Sequence, residues 1–245
     1  MDADALICSH PRSGGRWLRF LLAHYLAARK GLDVDVGPKN VFSIVPDHHD
    51  ESRRGYPAFR YRGRSGVPLV SVCHQPYTWE LHRGFPILFL ARNPYDVVVS
   101  AYFYLHEKGQ HTGGLREFLQ HRQLGLPAWI EYMNSWAARL LTHRDVTYIA
   151  YGELSAEAPR VLRRVLEFLD ERPEPALIDD AVLAAASLRA ARKIRTGQEG
   201  NFWDHLQPEE IFEVQATVRE ELSEFALPLL ASIGVAVDPF PRMGE

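Results

Sequence analysis

The chain has 245 residues, of which 46% are hydrophobic and 24% are charged, and its formal net charge at pH 7 is −3. This length suits one domain, residues 1–245, with a sizeable core, and the charge excludes a protein drawn to nucleic acid by an overall basic field. No stretch approaches the roughly 18–20 continuous apolar residues of a membrane span, and charges interrupt the N-terminal apolar run, so we expect a cytoplasmic protein without a signal peptide.

The first predicted element is a buried strand at residues 5–8, followed by a glycine loop at 9–17 and an amphipathic helix. Gly14 and Gly15 let the backbone turn closely, and the first helical turn leaves its N–H groups without intrahelical partners. Those amides and the cations Arg12 and Arg16 favour an anion site. The loop lacks the Gly-x4-Gly-Lys-Ser/Thr spacing with which common phosphate loops hold magnesium. For this segment alone, an ordinary strand–turn–helix with solvated arginines stays open.

Residues 30–66 are polar and turn-rich, and we expect a long surface loop close to the site. Two histidines, an aspartate and a glutamate follow one another at 48–51, but neither their spacing nor the loop setting favours a metal centre. We therefore predict no metal site. Cys8 and Cys73 lie in apolar runs, which predicts buried thiols in a reducing compartment.

Three further strands are predicted at residues 68–73, 85–91 and 146–150, with helices near 94–107, 114–120, 126–142, 157–170, 177–192 and 208–223. This alternation predicts an α/β fold: a P-loop-like three-layer α/β/α domain around a parallel sheet of about five strands. Ligands of such sheets bind beyond the carboxyl ends of the strands, where this chain has His74, Arg92 and Tyr151. The helical stripe Trp129, Tyr132, Met133 and Trp136 is typical of core packing.

A second anion site is predicted where the third strand meets its helix. Asn93 suits the N-cap, Pro94 the first helical position and Asp96 the first turn. Ser100 follows Asn93 by seven residues and returns to the same helix face, so we expect Arg92 and Ser100 to converge on one ligand. The alternative is a helix serine that bonds its own turn. The glycine-containing loop at 195–203 is either a nest of amides for a phosphate or a helix cap with an exposed turn.

Taken in order, these segments resemble the motifs of the sulfotransferase family that uses 3′-phosphoadenosine 5′-phosphosulfate (PAPS). Residues 9–17 resemble its Tyr-Pro-Lys-Ser-Gly-Thr-Thr-Trp loop, and residues 92–102 its Arg-Asn-x-x-Asp-x-x-x-Ser-x-Tyr segment. Residues 72–76 are similar to Lys-Thr-His-x-Pro, 151–154 to Tyr-Glu-Asp-Leu, and 195–203 to Arg-Lys-Gly-x-x-Gly-Asp-Trp. The order of the five motifs agrees to about residue 212.

The resemblance implies transfer of a sulfuryl group from PAPS to a hydroxyl of a small molecule or glycosylated metabolite, without a metal. It implies that His74 is the general base and that Arg12 stabilises charge on the bridging oxygen. It assigns the 5′ end of PAPS to Arg12, Ser13, Gly14, Gly15 and Arg16, adenine to Trp17 and Tyr151, and the 3′-phosphate to Arg92, Ser100, Arg195, Thr196 and Gly197.

Two departures from the family pattern stand out. Gly15 and Arg16 replace two threonines, and Val72 replaces the lysine that lies two residues before the histidine. We hypothesise that Arg16 compensates for that missing cation. His10 either lines the donor site or packs, and His82 and His106 are structural or line the acceptor cavity.

Two other function classes stay open beside the enzyme that the resemblance implies. One is a P-loop kinase, which the missing Lys-Ser/Thr argues against, and the other is a nucleotide-binding module without turnover. The variable loops at 37–66, 75–84 and 105–126 are where we expect the acceptor to bind. Neither the acceptor nor the oligomeric state follows from the sequence.

Overall fold

A parallel sheet of four strands lies at the centre of the described fold. The structure is a computed structural model that describes residues 3–48, 56–191 and 199–239. The strands are β1 (Ala5–Cys8), β2 (Val70–Cys73), β3 (Ile87–Ala91) and β4 (Val146–Ala150), in the spatial order β2-β1-β3-β4. All neighbouring pairs are parallel. Short strands that are mostly apolar, as these are, are typical of a parallel sheet covered on both faces. The sequence led us to expect about five strands, and the described residues form four.

Helices connect the strands and cover both faces of the sheet. Seven of them match the helices predicted from the sequence: the amphipathic helix after the first strand and the six further helices, most of them to within a few residues. Others were not predicted, among them a four-residue helix before β3 and a short helix directly after β4. The described helices are α1 (Gly15–Arg29), α2 (Tyr56–Ser65), α3 (Trp79–His82), α4 (Pro94–Glu107), α5 (Leu115–Phe118), α6 (Leu126–Leu140), α7 (Tyr151–Ala156), α8 (Ala158–Phe168), α9 (Pro175–Ala191), α10 (Pro208–Glu221) and α11 (Ala226–Ser232).

Two hydrophobic cores, one on each face of the sheet, hold the layers together. On one face, alternate strand residues such as Ile7 and Leu88 pack with α1, α8 and α9. On the other face, Leu6 and Phe89 pack with α4, α6, α10 and α11. This arrangement confirms the predicted three-layer α/β/α architecture. The predicted core stripe on α6 is also confirmed, because all four of its members are almost fully buried: Trp129, Tyr132, Met133 and Trp136.

The segment predicted as one long loop, residues 30–66, contains regular structure. A 3₁₀ turn at Val41–Ser43 and helix α2 lie within it. The sequence pattern hides α2 because Pro57, Gly63 and three arginines interrupt its hydrophobic residues. Residues 46–48 also pair with the outer edge of β2: the Val72 amide donates to Pro46, and the His48 amide donates to Val72. This pairing places Asp47 beside the strand that leads to His74.

Both cysteines are free and fully buried, which confirms the predicted buried thiols. They face each other across β1 and β2, and the Sγ of Cys73 lies 3.3 Å from the Nε2 of the buried His82. Burial raises the pKa of the Cys8 thiol well above its ordinary value. His82 thus has a structural role within this core. Among the described helices, none combines the length and apolarity that crossing a membrane would require.

Candidate active site

The loop after β1 reverses the chain through two residues in the left-handed region of backbone space. Arg12 has a φ of +73° and Gly14 a φ of +107°. A Cβ on Gly14 would lie 2.5 Å from the Cδ2 of Tyr151, so only glycine fits this close approach. A Cβ on Gly15 would lie 2.8 Å from the Ser9 hydroxyl, which leaves little room for the threonine that the family carries there. The loop is therefore packed tightly between β1 and the residue that follows β4.

Arg12 projects from this loop onto helix α4. Its Nε donates to the Ser100 hydroxyl at 3.1 Å, and its guanidinium carbon lies 4.6 Å from the centroid of the Tyr104 ring. Within the described ranges, no carboxylate forms an ion pair with Arg12. Desolvation lowers the pKa of Arg12, and the neighbouring charges of Arg16 and Arg92 lower it further. Tyr104 and Glu107 offset part of this effect. Arg16 and Arg92 are thus close enough for their charges to act on Arg12, and this local excess of cations favours an anion.

Arg92, directly after β3, is held by several contacts. Its Nη2 lies 3.3 Å from the Oδ2 of Asp96, and its guanidinium carbon lies 4.1 Å from the centroid of the Tyr151 ring. The rings of Trp17 and Tyr151 meet edge to face with their centroids 6.2 Å apart. The fold therefore brings together the two aromatic residues to which the family resemblance assigns adenine, although they are far apart along the chain.

Ser100 has a partner that the sequence did not reveal. Its spacing along α4 predicts that it converges with Arg92 on one ligand, and this stays a prediction. Its hydroxyl accepts a hydrogen bond from Arg12, 88 residues earlier in the chain. Spacing along one helix cannot reveal this contact, because the loop after β1 reaches α4 only in the folded sheet. Ser100 thus joins the first anion site to the second.

Asp96 anchors the start of α4 to a distant segment, a role that the sequence did not reveal. Its carboxylate accepts hydrogen bonds from the side chain of Asn93 at 2.9 Å and from the amides of Gly200 and Phe202 at 2.9 and 3.0 Å. The Asp96 amide donates to the Asn93 side chain at 2.8 Å, which confirms the predicted N-cap. Asp96 is 2% exposed, and a buried carboxylate needs several hydrogen-bond donors. The sequence shows the aspartate but not the distant amides that donate to it.

The loop that was predicted to cover the 3′-phosphate is described only at its downstream end. Arg195, Thr196 and Gly197 lie outside the described residues. The segment resumes at Glu199, whose carboxylate accepts from the Asn93 side chain at 3.2 Å. A Cβ on Gly152 would collide with that carboxylate, so the glycine in the Tyr151–Leu154 motif leaves room for it. The downstream end of the loop is therefore fixed next to Arg92.

His74 follows β2 and is oriented by the end of β1. Its Nδ1 lies 2.8 Å from the Ser9 carbonyl oxygen, so the Nδ1–H donates there and the Nε2 keeps its lone pair. Desolvation by the surrounding protein lowers the pKa of His74, although the residue is exposed to solvent. An imidazole in this tautomer, neutral at pH 7, can accept a proton at Nε2. The Nε2 atom of His74 is thus available to accept a proton.

Two other predicted histidines take different places. His10 is buried, donates from Nδ1 to the Pro11 carbonyl at 2.9 Å and packs edge-on against Tyr132. Desolvation lowers its pKa to about 4, so it stays neutral over most of the physiological range. His106 is exposed and contacts Tyr102. His10 therefore packs beneath the loop.

One group of side chains in the described residues has metal-ligand spacing. The ligand atoms of Cys8, Cys73 and His82 all lie within 4.8 Å of one another. In the described part of the chain, no further histidine, cysteine or acidic residue joins them as the fourth ligand that closed zinc sites require. The cluster is also fully buried. We therefore interpret it as core packing.

Comparisons with known proteins agree on one family. The profile of the sulfotransferase domain family matches residues 2–226. Cytosolic sulfotransferase 7 of Arabidopsis thaliana is 25% identical, over 85% of this chain and 75% of the relative. Sulfotransferase 2B1 of Mus musculus is 33% identical, over 80% of this chain and 57% of the relative. The chain thus spans between about half and three quarters of the length of these two relatives.

Solved structures show the same fold at low sequence identity. A mouse sulfotransferase, SULT7A1, complexed with PAP, superposes with a TM-score of 0.66 at 16% identity, over 94% of this chain and 88% of that chain. A sulfotransferase from Alicyclobacillus acidocaldarius gives a TM-score of 0.56 at 19% identity, over 96% and 97%. A retinol dehydratase in complex with androsterone and PAP gives 0.59 at 17% identity, over 90% and 81%. These likenesses establish the fold.

Proposed function

The chain belongs to the sulfotransferase domain family, and we propose that it transfers the sulfuryl group of PAPS to a hydroxyl of a small-molecule acceptor. The observation that supports this most strongly is the meeting of three arginines, Arg12, Arg16 and Arg92, beside an imidazole with a free Nε2. The arginines match a donor with anionic groups at two places. The imidazole matches an acceptor that must lose a proton.

The residues present fit this donor. The Ser13 hydroxyl is buried in the loop and has no hydrogen-bond partner among the described residues, so a ligand oxygen can satisfy it. Gly14, Gly15 and the start of α1 offer amides at a positive helix end. The ring pair Trp17 and Tyr151 provides an aromatic surface for adenine. Arg92 and Ser100, together with Arg195, Thr196 and Gly197, are proposed for the 3′-phosphate.

In the proposed reaction, His74 and Arg12 act at the two oxygens whose charge changes: that of the acceptor hydroxyl and that of the leaving group. His74 takes the proton of the acceptor hydroxyl at Nε2 as the oxygen attacks sulfur and the sulfur–oxygen bond to the 5′-phosphate breaks. Arg12 stabilises the negative charge that develops on the oxygen of the leaving 3′,5′-bisphosphate. The orientation of both groups supplies much of the remaining acceleration. Each step uses side chains of this chain alone.

Arg16 is proposed to compensate for the lysine that the family carries where this chain has Val72. Val72 is buried within the core and carries no charge. Arg16 is exposed at the start of α1, and its charge acts on Arg12 in the same loop. Its guanidinium therefore has the freedom to reach the sulfuryl group from the loop side. This proposal is separate from the assignment of Arg12.

The two alternative functions are less well supported. A P-loop kinase needs a lysine that binds the phosphates and a following Ser/Thr whose hydroxyl binds magnesium, and this loop has Gly15 and Arg16 in that region. A binding module without turnover gives no reason for the orientation of His74. For the acceptor we propose a small molecule, since one similar protein was solved with androsterone. Relatives named cytosolic sulfotransferases support a cytoplasmic location.

Two measurements test the proposed function. The protein is incubated with PAPS carrying labelled sulfate and a panel of phenols, sugars and lipids, and labelled products are separated. We expect transfer to at least one acceptor class, and no transfer to any would contradict the proposal. In parallel, adenosine 3′,5′-bisphosphate without magnesium should raise the melting temperature. Stabilisation by ATP with magnesium alone would favour the kinase.

A further inference from the structure

A largely buried ion pair between Arg19 and Asp47 lies near His74, the proposed base. Arg19 belongs to α1 and is 6% exposed, and the Asp47 side chain is 15% exposed. The Nη2 of Arg19 donates to the Oδ1 of Asp47, and the guanidinium carbon lies 4.6 Å from the centroid of the Phe42 ring. None of the five sequence motifs contains either residue. The pair therefore has no role in the function proposed so far.

The backbone brings Asp47 to the side of β2 from which His74 emerges. The Val72 amide donates to Pro46 at 2.9 Å, and the His48 amide donates to Val72 at 2.8 Å, so Asp47 forms a parallel bridge with Val72. Residues paired in this way direct their side chains to the same face, as do strand residues two apart. Asp47, Val72 and His74 therefore share one face.

Helix α1 brings Arg19 to the same place from the opposite side. A Cβ on Gly15 would lie 3.6 Å from the Cε1 of His74, so the first turn of α1 lies close to the imidazole. Arg19 follows Gly15 by four residues, which is about one helical turn, and therefore lies on the same helix face. The α1 face that borders His74 thus carries a cation one turn further on.

The charges around the imidazole come from several elements. Desolvation lowers the pKa of His74 most, and Arg19 lowers it further. The Ser9 carbonyl, Asp47 and Cys73 raise it. Val72, where the family pattern has lysine, adds no charge from β2. The ionisable groups that face the imidazole from the described elements are Arg19 on α1, Asp47 beside β2, Cys73 on β2 and His10 after β1.

We propose that Arg19 and Asp47 are positioning residues for His74, which balance the charge beside its imidazole and hold residues 46–48 against β2. The inference rests on the proposed role of His74 as the base. Because the two ions are paired, their effects on the imidazole largely offset each other. Removing Asp47 leaves a cation that disfavours the imidazolium, and removing Arg19 leaves an anion that favours it. A merely structural pair would not produce shifts of opposite sign.

The test is an NMR titration of the histidine side chains in the full chain, with the His74 signal identified by its loss in His74→Gln. We expect Asp47→Asn to lower the pKa of His74 by about 0.5–1 pH unit and Arg19→Gln to raise it by a similar amount. The double variant should return close to the wild-type value. The control is Arg29→Gln. Arg29 lies on α1 like Arg19 and forms an exposed ion pair with Glu174, and its replacement should not shift the pKa of His74.

Shifts in the same direction for both single variants, or a shift in Arg29→Gln as large as theirs, would overturn the inference. Arg19→Lys keeps the charge and should titrate like the wild type, so the test stands even if Arg19→Gln does not fold. In an active enzyme, the pH below which kcat/KM falls should be lower in Asp47→Asn and higher in Arg19→Gln than in the wild type, because the base must be neutral.

The titration does not depend on turnover. Failure of the wild type to transfer sulfate would contradict only the proposed function, and unshifted titrations in an active enzyme would contradict only the role of the ion pair. The affinity for adenosine 3′,5′-bisphosphate, measured by calorimetry, should be the same in both single variants as in the wild type. A loss of affinity in either single variant would instead indicate a structural role.

Discussion

Arg12 and Arg92 lie in one site, but the structure holds them in different ways. Arg92 is 6% exposed, contacts the carboxylate of Asp96 and stacks on Tyr151. Arg12 is half-buried and contacts the neutral groups of Ser100 and Tyr104. A guanidinium next to a carboxylate is largely neutralised before any ligand arrives, whereas one among neutral dipoles keeps its charge for an anion.

This difference indicates that the Arg92 end of the site contributes mainly to stability and the Arg12 end mainly to turnover. The end at Arg92 is a built scaffold, in which Asp96 also fixes the backbone at residues 200–202. The end at Arg12 combines a strained loop with cations that repel one another, which favours an arriving anion. Changes at the first end should therefore affect stability most, and changes at the second end should affect turnover most.

The largest effect is expected at the reacting end, from His74→Ala. Loss of the general base should reduce kcat by about 10²–10⁴-fold while leaving nucleotide binding intact. Steady-state kinetics and calorimetry with adenosine 3′,5′-bisphosphate measure the two quantities. His143 precedes β4, at the opposite end of the sheet from His74, and provides the control variant, since His143→Ala should retain full activity. An active His74→Ala enzyme would remove the base from the mechanism.

The scaffold end is tested by Asp96→Ala. This change leaves the buried Arg92 without its carboxylate and the amides of Gly200 and Phe202 without an acceptor. We expect the free energy of unfolding to fall by about 3–5 kcal/mol, as measured by urea denaturation. Asp179→Ala, at an exposed aspartate of α9, should change it by less than about 0.5 kcal/mol. Equal stability of the two variants would end the distinction drawn between the two ends.

The junction between the two ends is tested by Gly14→Ala. The new methyl group would meet the Tyr151 ring, and its φ of +107° is unfavourable for alanine. A loss of about 1–3 kcal/mol of stability is expected, together with weaker nucleotide binding. In Gly63→Ala, the methyl group meets no atom within 4 Å and the helix is favoured, so thermal unfolding should show a small stabilisation. A wild-type melting temperature in Gly14→Ala would contradict the close approach.

The smallest effect is expected from Arg16→Ala at the exposed mouth of the loop. Stability should be unchanged, since the side chain is exposed. Turnover should fall by about 3- to 10-fold, which corresponds to the loss of one partly solvated charge contact. The measurement is kcat with PAPS at saturation, compared with Arg29→Ala on the same helix. Turnover within a factor of two of the wild type would refute compensation by Arg16.

The sequence predicted most of the layered fold and much of the site because the relevant signals are local. Apolar runs mark the strands β1 to β4, helix caps such as Asn93 mark the start of α4, and each polar motif follows directly after a strand. In a parallel sheet, strand ends with the same direction meet at one edge. The order of the motifs was therefore enough to expect His74, Arg92 and Tyr151 together.

Three features were decided by contacts between segments that are far apart in the chain. Ser100 accepts a hydrogen bond from Arg12, Asp96 accepts from the backbone amides of Gly200 and Phe202, and Asp47 reaches α1 by pairing beside β2. No periodicity or spacing predicts these contacts, because each partner sits on a different element.

By itself, the sequence determined the layered α/β fold, the family and the set of residues at the strand ends, since these depend on local propensity, burial pattern and motif order. Only the tertiary structure decided which charges are neutralised and which are left for a ligand. That outcome depends on distances of a few ångströms between side chains from separate elements, over which the electrostatic energy changes steeply.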